Sequence, residues 1–556
     1  MKVRAIKLEN FMGFADTEWV ELRPITLVYG WNSTGKSALI RALLLLRQSL
    51  QLEQKAAEPL IFVSDHGVDL GSFWRMIRGR IFYDESPVQA KEKGAEDELT
   101  VRRQMVFGFR CEANQEVLAQ LSELRIEPRN DDEKYIDLSL SFQFNEQAAT
   151  NKVELSVVTL EAPFDLDGNK EGRKAILQAE YLELGVWRGW YLSSHFFDDS
   201  DLYYPSDEKA AKNPFNTSVV WYTNLEFKAE KGFLPSLYAK REAGTSDRRK
   251  DQSLPSESNR GDSYQKIRKL FEHCCDSIKD FFSDEKFRYL GPIRSAPRRT
   301  YLLSESSQHK WDASGQTAIR DFLSSYQEEG SVEQDELNAW LHALGIGEKL
   351  HVKRLKLHEK QDGALTEAFQ LGVEEGSGTM DVNMRDVGYG ASQVLPILLQ
   401  VLAPPEDGLV IIEQPELHLH PEAQAVMADL FINNTNKRTR FLIETHSEHI
   451  KLRLQLRIVG GKPRYLASSG QEKQKYKFLV DESFELSGDD FGLVFVTRDQ
   501  RKGDSELRYI KADPYGRLIG DPAALSSFFG RDFLDSSVFS IEAERKAMAA
   551  KPEVEK

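Results

Sequence analysis

The sequence predicts an α/β fold, on three observations. An apolar strand at Ile25–Tyr29 runs through a glycine-bounded loop into an apolar helix that starts near Ala38. Far downstream, Gly408–Glu416 and Arg440–Ser447 are two further apolar strands, each ending in polar and ionisable residues. Between residues 97 and 230 the apolar residues alternate with polar ones, as in half-buried strands.

A chain of 556 residues exceeds one ordinary core and divides into two or three domains. Hydrophobic residues make up 40% and charged residues 29%, the balance of a soluble globular protein. No apolar run approaches the ~20 residues of a membrane span, so no membrane partner is expected. Met1-Lys2-Val3-Arg4 leads straight into a strand pattern, not a signal segment, which gives an expectation of cytoplasmic location. The three cysteines, Cys111, Cys274 and Cys275, cannot make a disulfide framework and agree with a reducing compartment. A net charge of −15 excludes a protein whose whole surface coats nucleic acid. A local basic groove stays open, because Arg294, Arg298 and Arg299 cluster, whereas Arg248-Arg249-Lys250 reads as a solvated loop.

Taken in order, Val3–Phe11 alternates as a half-buried strand, and Ile25–Tyr29 is the strand before the loop. Asp137–Phe144 and Val153–Val158 are strands of a β-rich stretch. The segment 241–263 lacks large apolar residues except Leu254 and reads as a flexible loop. Ile267, Leu270, Phe271, Cys274 and Ile278 fall on one helical face, and a second helix spans roughly Thr317–Glu328. Val394–Leu402 and a segment from about Glu422 are helices, and no sustained a/d heptad occurs anywhere.

The chemistry begins at Gly30-Trp31-Asn32-Ser33-Thr34-Gly35-Lys36-Ser37. This G-x-x-x-x-G-K-S spacing between a strand and a helix is a phosphate-binding P-loop. The glycines let the backbone of Asn32, Ser33, Thr34 and Gly35 curl so that N–H groups face a phosphate, Lys36 supplies positive charge, and Ser37 supplies a hydroxyl to Mg²⁺. ATP or GTP is the implied ligand. Gly408–Glu416 has the shape of a Walker B strand, with Glu413 placed to hold the Mg²⁺ shell. Asp386–Gln393 is a glycine turn opening an apolar helix, a second anion-binding arrangement.

The order of P-loop, long insertion, glycine turn with Ser392 and Gln393, acidic strand and histidine strand resembles the ABC-type ATPases of the SMC, Rad50 and RecF kind. The phrases Glu413–Pro421 and Glu444–His449 bring it closer to the overcoming-lysogenization-defect family and its nuclease-free relatives, as do Val68–Phe73, Tyr289–Arg294 and Ile510–Arg517. The resemblance implies an ABC-type ATPase head built from both ends of the chain, ATP and Mg²⁺ as cofactors, and a homodimer that sandwiches two ATP molecules. In that dimer Gly388, Gly390, Ser392 and Gln393 would reach the γ-phosphate of the partner's ATP, and His446 would sense the γ-phosphate.

One position departs from the family. The usual acidic pair is Asp then Glu, and here it is Glu413 and Gln414. An amide cannot accept a proton, so loss of general-base assistance would slow hydrolysis by ~10²–10⁴-fold. Glu416 or a histidine can substitute if the chain turns at Pro415; the expectation is slow but real hydrolysis, with Glu416, Gln414 and His446 as the catalytic candidates.

Glu416, His418, His420, Glu444, His446, Glu448 and His449 could be written as a metal cluster, but His418-x-His420 on an extended segment is not a zinc spacing. Packing of Leu417 and Leu419 is the preferred account. No G-x-S-x-G elbow supports a serine hydrolase. Asp481-Glu482 and Asp489-Asp490 lie too close together for the metal-binding acids of a Toprim nuclease.

The expected organisation is a P-loop lobe at 1–95, a β-rich and helical insertion at 96–285, a second ATPase lobe at 286–460, and an α/β extension at 461–556 without a nuclease site. The resemblance implies a sensor or regulatory subunit of an antiphage system of the Septu-like or PARIS-like kind. Its partners would be a separate nuclease effector and a DNA or phage-protein trigger. A RecF-like repair ATPase that clamps DNA, and a self-contained nuclease, are the competing classes.

Overall fold

The computed structural model describes residues 1–51, 59–63, 68–78, 104–123, 137–147, 152–166, 170–184, 187–193, 220–222, 225–231, 234–239, 262–303, 312–326, 332–355, 367–374, 381–435, 438–458, 486–499, 503–512 and 518–519. The basic run at Arg248–Lys250, most of the 241–263 loop, Asp481-Glu482 and Asp513–Arg517 lie outside the described residues. The chain forms two units.

The first unit comprises Met1–Glu21, Ser37–Ser283 and Arg498–Glu506. Its frame is an antiparallel meander in which Lys2–Phe11, Gln104–Glu112, Asp137–Gln147, Lys152–Leu166, Lys170–Leu184, Trp187–Ser193 and Val220–Tyr222 pair in succession. Strict alternation produces one apolar face. Met105, Phe107, Phe109 and Cys111 on one strand and Leu138, Leu140, Phe142 and Phe144 on the next are all buried. The helix Asp262–Phe281 places Ile267, Leu270, Phe271, Cys274 and Ile278 in the buried core, the face its spacing predicts. Just beyond its end, Phe282 meets Phe109 edge to face, with ring centroids 6.0 Å apart. Within this β-rich stretch the structure adds a helix, Gln115–Glu123. Asn114 starts it by accepting the Val117 N–H (3.0 Å), and Val117 and Leu121, four apart, are its buried contacts.

The second unit comprises Leu22–Lys36, Asp284–Thr497 and Leu507–Lys556. At its centre lie five parallel strands in the order Phe491–Arg498, Ile25–Gly30, Arg440–Glu444, Leu409–Glu413 and Phe287–Leu290. Ile25–Gly30, Leu409–Glu413 and Arg440–Glu444 are buried throughout, which explains their continuous apolar runs. The head is thus assembled from both ends of the chain, because the N-terminal P-loop strand fits between two C-terminal ones. A smaller antiparallel sheet is built on Glu367–Glu374, which pairs with Lys349–Leu355, Tyr301–Leu303 and Asp381–Asn383.

The helices of this unit are Gln316–Ser325, Val332–Ala343, Tyr389–Leu402, Pro421–Asn434 and Glu448–Ile458. The last two are tied by a buried cluster in which Asp429, 1% exposed, accepts Nη2 of Arg453 (2.9 Å) and Nε of Arg457 (2.7 Å). His418-x-His420 is not extended, as the sequence reading expects. Residues 415–418 form turns, His418 has φ of 64°, and His420 caps the helix at Pro421, its Nδ1 accepting the Glu422 N–H at 3.4 Å. No long coiled coil occurs among the described residues, and no helix among them is long and apolar enough to cross a membrane.

Candidate functional site

Parallel pairing aligns the ends of three strands. Glu444 pairs in register with Val28 on one side and with Glu413 on the other, so the P-loop and two carboxylates leave neighbouring strand ends. Gly35 has φ of 104° and Ser33 of 62°, the left-handed turns that curl the loop. A side chain at Gly30 would collide with the Val496 carbonyl oxygen. Asn32 and Ser33 are exposed, Thr34 is buried and donates its hydroxyl to the Trp31 carbonyl (2.8 Å), and Ser37 is half-buried in the first turn of the helix Lys36–Gln51.

Lys36 is 5% exposed, and its Nζ donates to the carbonyls of Gly30 (3.0 Å) and Trp31 (2.7 Å). It makes no ion pair among the described residues. Burial lowers its pKa, against the opposing pull of Glu444 and Glu416. A buried ammonium held only by neutral carbonyls retains charge for an anion.

The acidic turn follows the strand Leu409–Glu413. Glu413 accepts the Tyr289 hydroxyl (2.8 Å) on Oε1. Gln414 takes a left-handed φ of 46°, and its N–H donates to the Glu444 carbonyl (2.7 Å). This conformation is costly for a residue with a side chain and swings the chain back through Pro415. Glu416 therefore returns to the strand end, where it accepts the Thr445 hydroxyl (2.8 Å) and the His446 N–H (2.7 Å). Burial raises the Glu416 pKa, opposed by these hydrogen bonds and by Arg294. Burial lowers that of His446, with help from Lys36. Tyr29 donates its hydroxyl to the His446 carbonyl (3.2 Å).

The glycine turn lies against the same segment. Gly388 caps the helix Tyr389–Leu402, is exposed, and has open space where a Cβ would point. Gly390 sits inside the first turn, and a Cβ there would come within 2.6 Å of the His418 carbonyl oxygen. Gln393 is buried and donates Nε2 to the Arg294 carbonyl (3.2 Å). The Ser392 side chain lies outside the described residues.

A family model, AAA_15, described as an AAA ATPase domain, matches residues 1–450. The chain belongs to the AAA ATPase domain family. Among curated proteins none matches. Solved structures similar to this AAA ATPase include an SMC head bound to the C-terminal winged-helix domain of ScpA, at 9% identity and a TM-score of 0.34, covering 92% of this chain and 98% of that one. Another is the SMC head domain from Thermotoga maritima, at 10% identity and a TM-score of 0.31, covering 91% and 98%. A third is an SMC head with an extended coiled coil bound to the C-terminal domain of ScpA, from Pyrococcus furiosus, at 10% identity and a TM-score of 0.32, covering 92% and 96%. Likeness this slight carries nothing about those proteins' partners over to this one.

The family implies ATP binding, typically with Mg²⁺, and the residues of this AAA ATPase fit both. The Lys36 ammonium suits phosphate oxygens. The Glu413 carboxylate is the kind of hard oxygen ligand Mg²⁺ prefers, and would leave other positions to phosphate and water. When bound, Mg²⁺ would neutralise charge on the phosphates. Among the described residues no three His, Cys, Asp or Glu side chains converge to hold a metal unaided. The chain's own contribution would be to meet phosphate oxygens with the Lys36 ammonium and the loop N–H groups, at the strand end where Glu416 bonds to the main chain of His446.

Three participants are not among the predicted site residues. Glu444, 4% exposed, ends the strand between the P-loop strand and the Walker B strand, and its signal was the acid closing an apolar run. Tyr289 and Arg294 come from the Tyr289–Arg294 run. Their roles depend on Phe287–Leu290 pairing with Leu409–Glu413, which sequence spacing does not reveal.

Proposed function

We propose that this AAA ATPase is an ABC-type switch: ATP and Mg²⁺ join two copies head to head, and the nucleotide state gates a separate effector, a nuclease, in a prokaryotic antiphage system. The observation that carries the switching reading is the acidic turn. Gln414 stands where the related ATPases place a glutamate, and its amide cannot take a proton. Glu416 is the nearest alternative base, its pKa raised by burial, yet both of its oxygens already accept hydrogen bonds. Turnover through such a base is slow, so the ATP-bound dimer persists.

In this mechanism Lys36 and the loop N–H groups bind the β- and γ-phosphates, Glu413 helps to hold Mg²⁺, and His446 stays neutral to meet the γ-phosphate. Gly388 and Gly390 would face the nucleotide of the second copy, at the positive end of the helix dipole. The antiphage role, the nuclease partner and a DNA or phage-protein trigger rest on the resemblance of the motifs.

Light scattering after size-exclusion chromatography, with and without ATP·Mg²⁺, tests the switch. A doubling of mass in the wild type that is lost in Lys36→Ala is expected, and a monomer indifferent to ATP overturns it. Co-purification with the product of the neighbouring gene tests the gating role.

A further inference from the structure

Arg294 is among the largest fully buried side chains, 2% exposed. Its Nη2 donates to two successive carbonyls, those of Glu413 (2.6 Å) and Gln414 (3.3 Å). These are the peptides on either side of the left-handed residue Gln414. Holding both on one nitrogen fixes the two peptide planes around Gln414 and, through them, where the chain brings Glu416. On its other side, the Arg294 carbonyl accepts Nε2 of Gln393, itself 2% exposed, at 3.2 Å. Gln393 stands in the first turns of the helix that Gly388 caps. A continuous set of contacts therefore runs from the glycine turn through Gln393 and Arg294 to the acidic turn, all within one subunit.

The guanidinium is held at a cost that packing does not explain. Among the described residues Nε and Nη1 are buried without a hydrogen-bond partner, and a buried donor left unpaired is destabilising, more so on a cation. An apolar side chain of similar volume would fill the space without that penalty. The planar, permanently charged fork instead leaves spare donors beside the turn that its Nη2 already holds.

We infer that Arg294 is a positioning residue for hydrolysis, transmitting the state of the Gly388–Gln393 turn to the Glu413–Glu416 turn so that the water-orienting groups align only when the glycine turn is engaged. This rests on the sandwich reading above. Gln393 is the second half of the relay, and neither residue touches the nucleotide of its own subunit in this role. Coupling of this kind separates binding from chemistry, because Lys36 and the P-loop do not depend on it.

The test uses the full-length protein with Arg294→Lys, Gln393→Met and the double substitution. ATP affinity is measured by equilibrium titration in Mg²⁺-free buffer, turnover under single-turnover conditions with Mg²⁺, and ATP-dependent dimer mass by light scattering. The expected result is ATP affinity within about threefold of wild type, turnover lowered at least ~10-fold in each single variant, and a double variant no slower than the worse single one. Single-variant turnover within about twofold of wild type, or losses that multiply in the double variant, would overturn the relay. If Arg294→Lys unfolds, Gln393→Met carries the test alone, since it leaves the guanidinium contacts in place. A wild type that hydrolyses nothing overturns the inference as well. Failure of the wild type to dimerise with ATP sinks the sandwich reading instead, and is read on a different instrument.

Discussion

The Glu416 carboxylate joins the acidic turn to the end of the strand Arg440–Glu444: its Oε1 accepts the main-chain N–H of His446 at 2.7 Å, and its Oε2 accepts the hydroxyl of Thr445 at 2.8 Å. Neighbouring strand ends are thereby locked by one side chain. Glu416→Ala should destabilise the protein by about 1–3 kcal/mol, because two sheltered donors lose their acceptor. Glu416→Gln should keep most of that stability and still lower turnover by at least ~10-fold, since the base is gone. Urea denaturation and phosphate release measured on the same preparations separate the two effects; unchanged turnover in Glu416→Gln would remove Glu416 from the catalytic role.

Gln414→Glu places a second carboxylate directly after Glu413. Turnover should rise by roughly 10-fold or more, and the ATP-dependent dimer should become shorter-lived. A steady-state phosphate assay with dimer lifetime measured after ATP depletion checks both. No acceleration would mean that the left-handed backbone at this position aims the side chain away from the attacking water.

Lys36→Ala removes the buried ammonium whose partners are two carbonyls. ATP affinity should fall about 100-fold, equivalent to ~3 kcal/mol of charge-assisted hydrogen bonding. The nucleotide-free protein should be no less stable, because a buried ammonium whose desolvation outweighs the pull of Glu444 and Glu416 has been deleted. Thermal melting with and without ATP tests this: the nucleotide-induced rise in Tm should vanish while the nucleotide-free Tm holds.

His446 has a folded pKa below the ordinary value of 6.5, caused first by burial and then by Lys36. The unfolded chain therefore binds a proton that the folded chain resists. The stability this contributes is present above 6.5 and is lost as pH falls from there through the lower folded pKa. His446→Gln should flatten the stability profile in that window and leave it unchanged at pH 8, as measured by urea denaturation across pH. An unaltered slope would show that other groups carry the acid sensitivity.

Asp429 compensates both Arg453 and Arg457 at the contact of two helices. Asp429→Asn leaves two guanidinium groups short of an anion in a buried setting and should cost about 3–5 kcal/mol. Chemical denaturation should show it without a change in ATP affinity per folded molecule.

The local chemistry was written in the chain. The apolar runs Ile25–Tyr29, Gly408–Glu416 and Arg440–Ser447 and the helical face of Ile267, Leu270, Phe271, Cys274 and Ile278 follow from short-range rules of period and turn; the three strands and the helix appear, the two later strands ending earlier than expected, at Glu413 and Glu444. The amide of Gln414 directly after Glu413 was equally legible, since it is a matter of residue identity.

Strand order belonged to the tertiary structure. Nothing in the composition of Phe491–Arg498 or Phe287–Leu290 says that the first pairs with the P-loop strand and the second with the Walker B strand. Parallel pairing joins segments hundreds of residues apart, and any buried apolar strand satisfies its local requirements. Side-chain geometry at the site follows from that order. The clamp of Arg294 on Gln414, the Glu444 carboxylate beside Glu413, and the bond from Glu416 to His446 exist only once distant strand ends are brought side by side. The sequence by itself determined that the chain carries a phosphate loop and which residue types stand at its acidic turn; only the fold decided which of them touch, because hydrogen bonds between remote segments have no local signature.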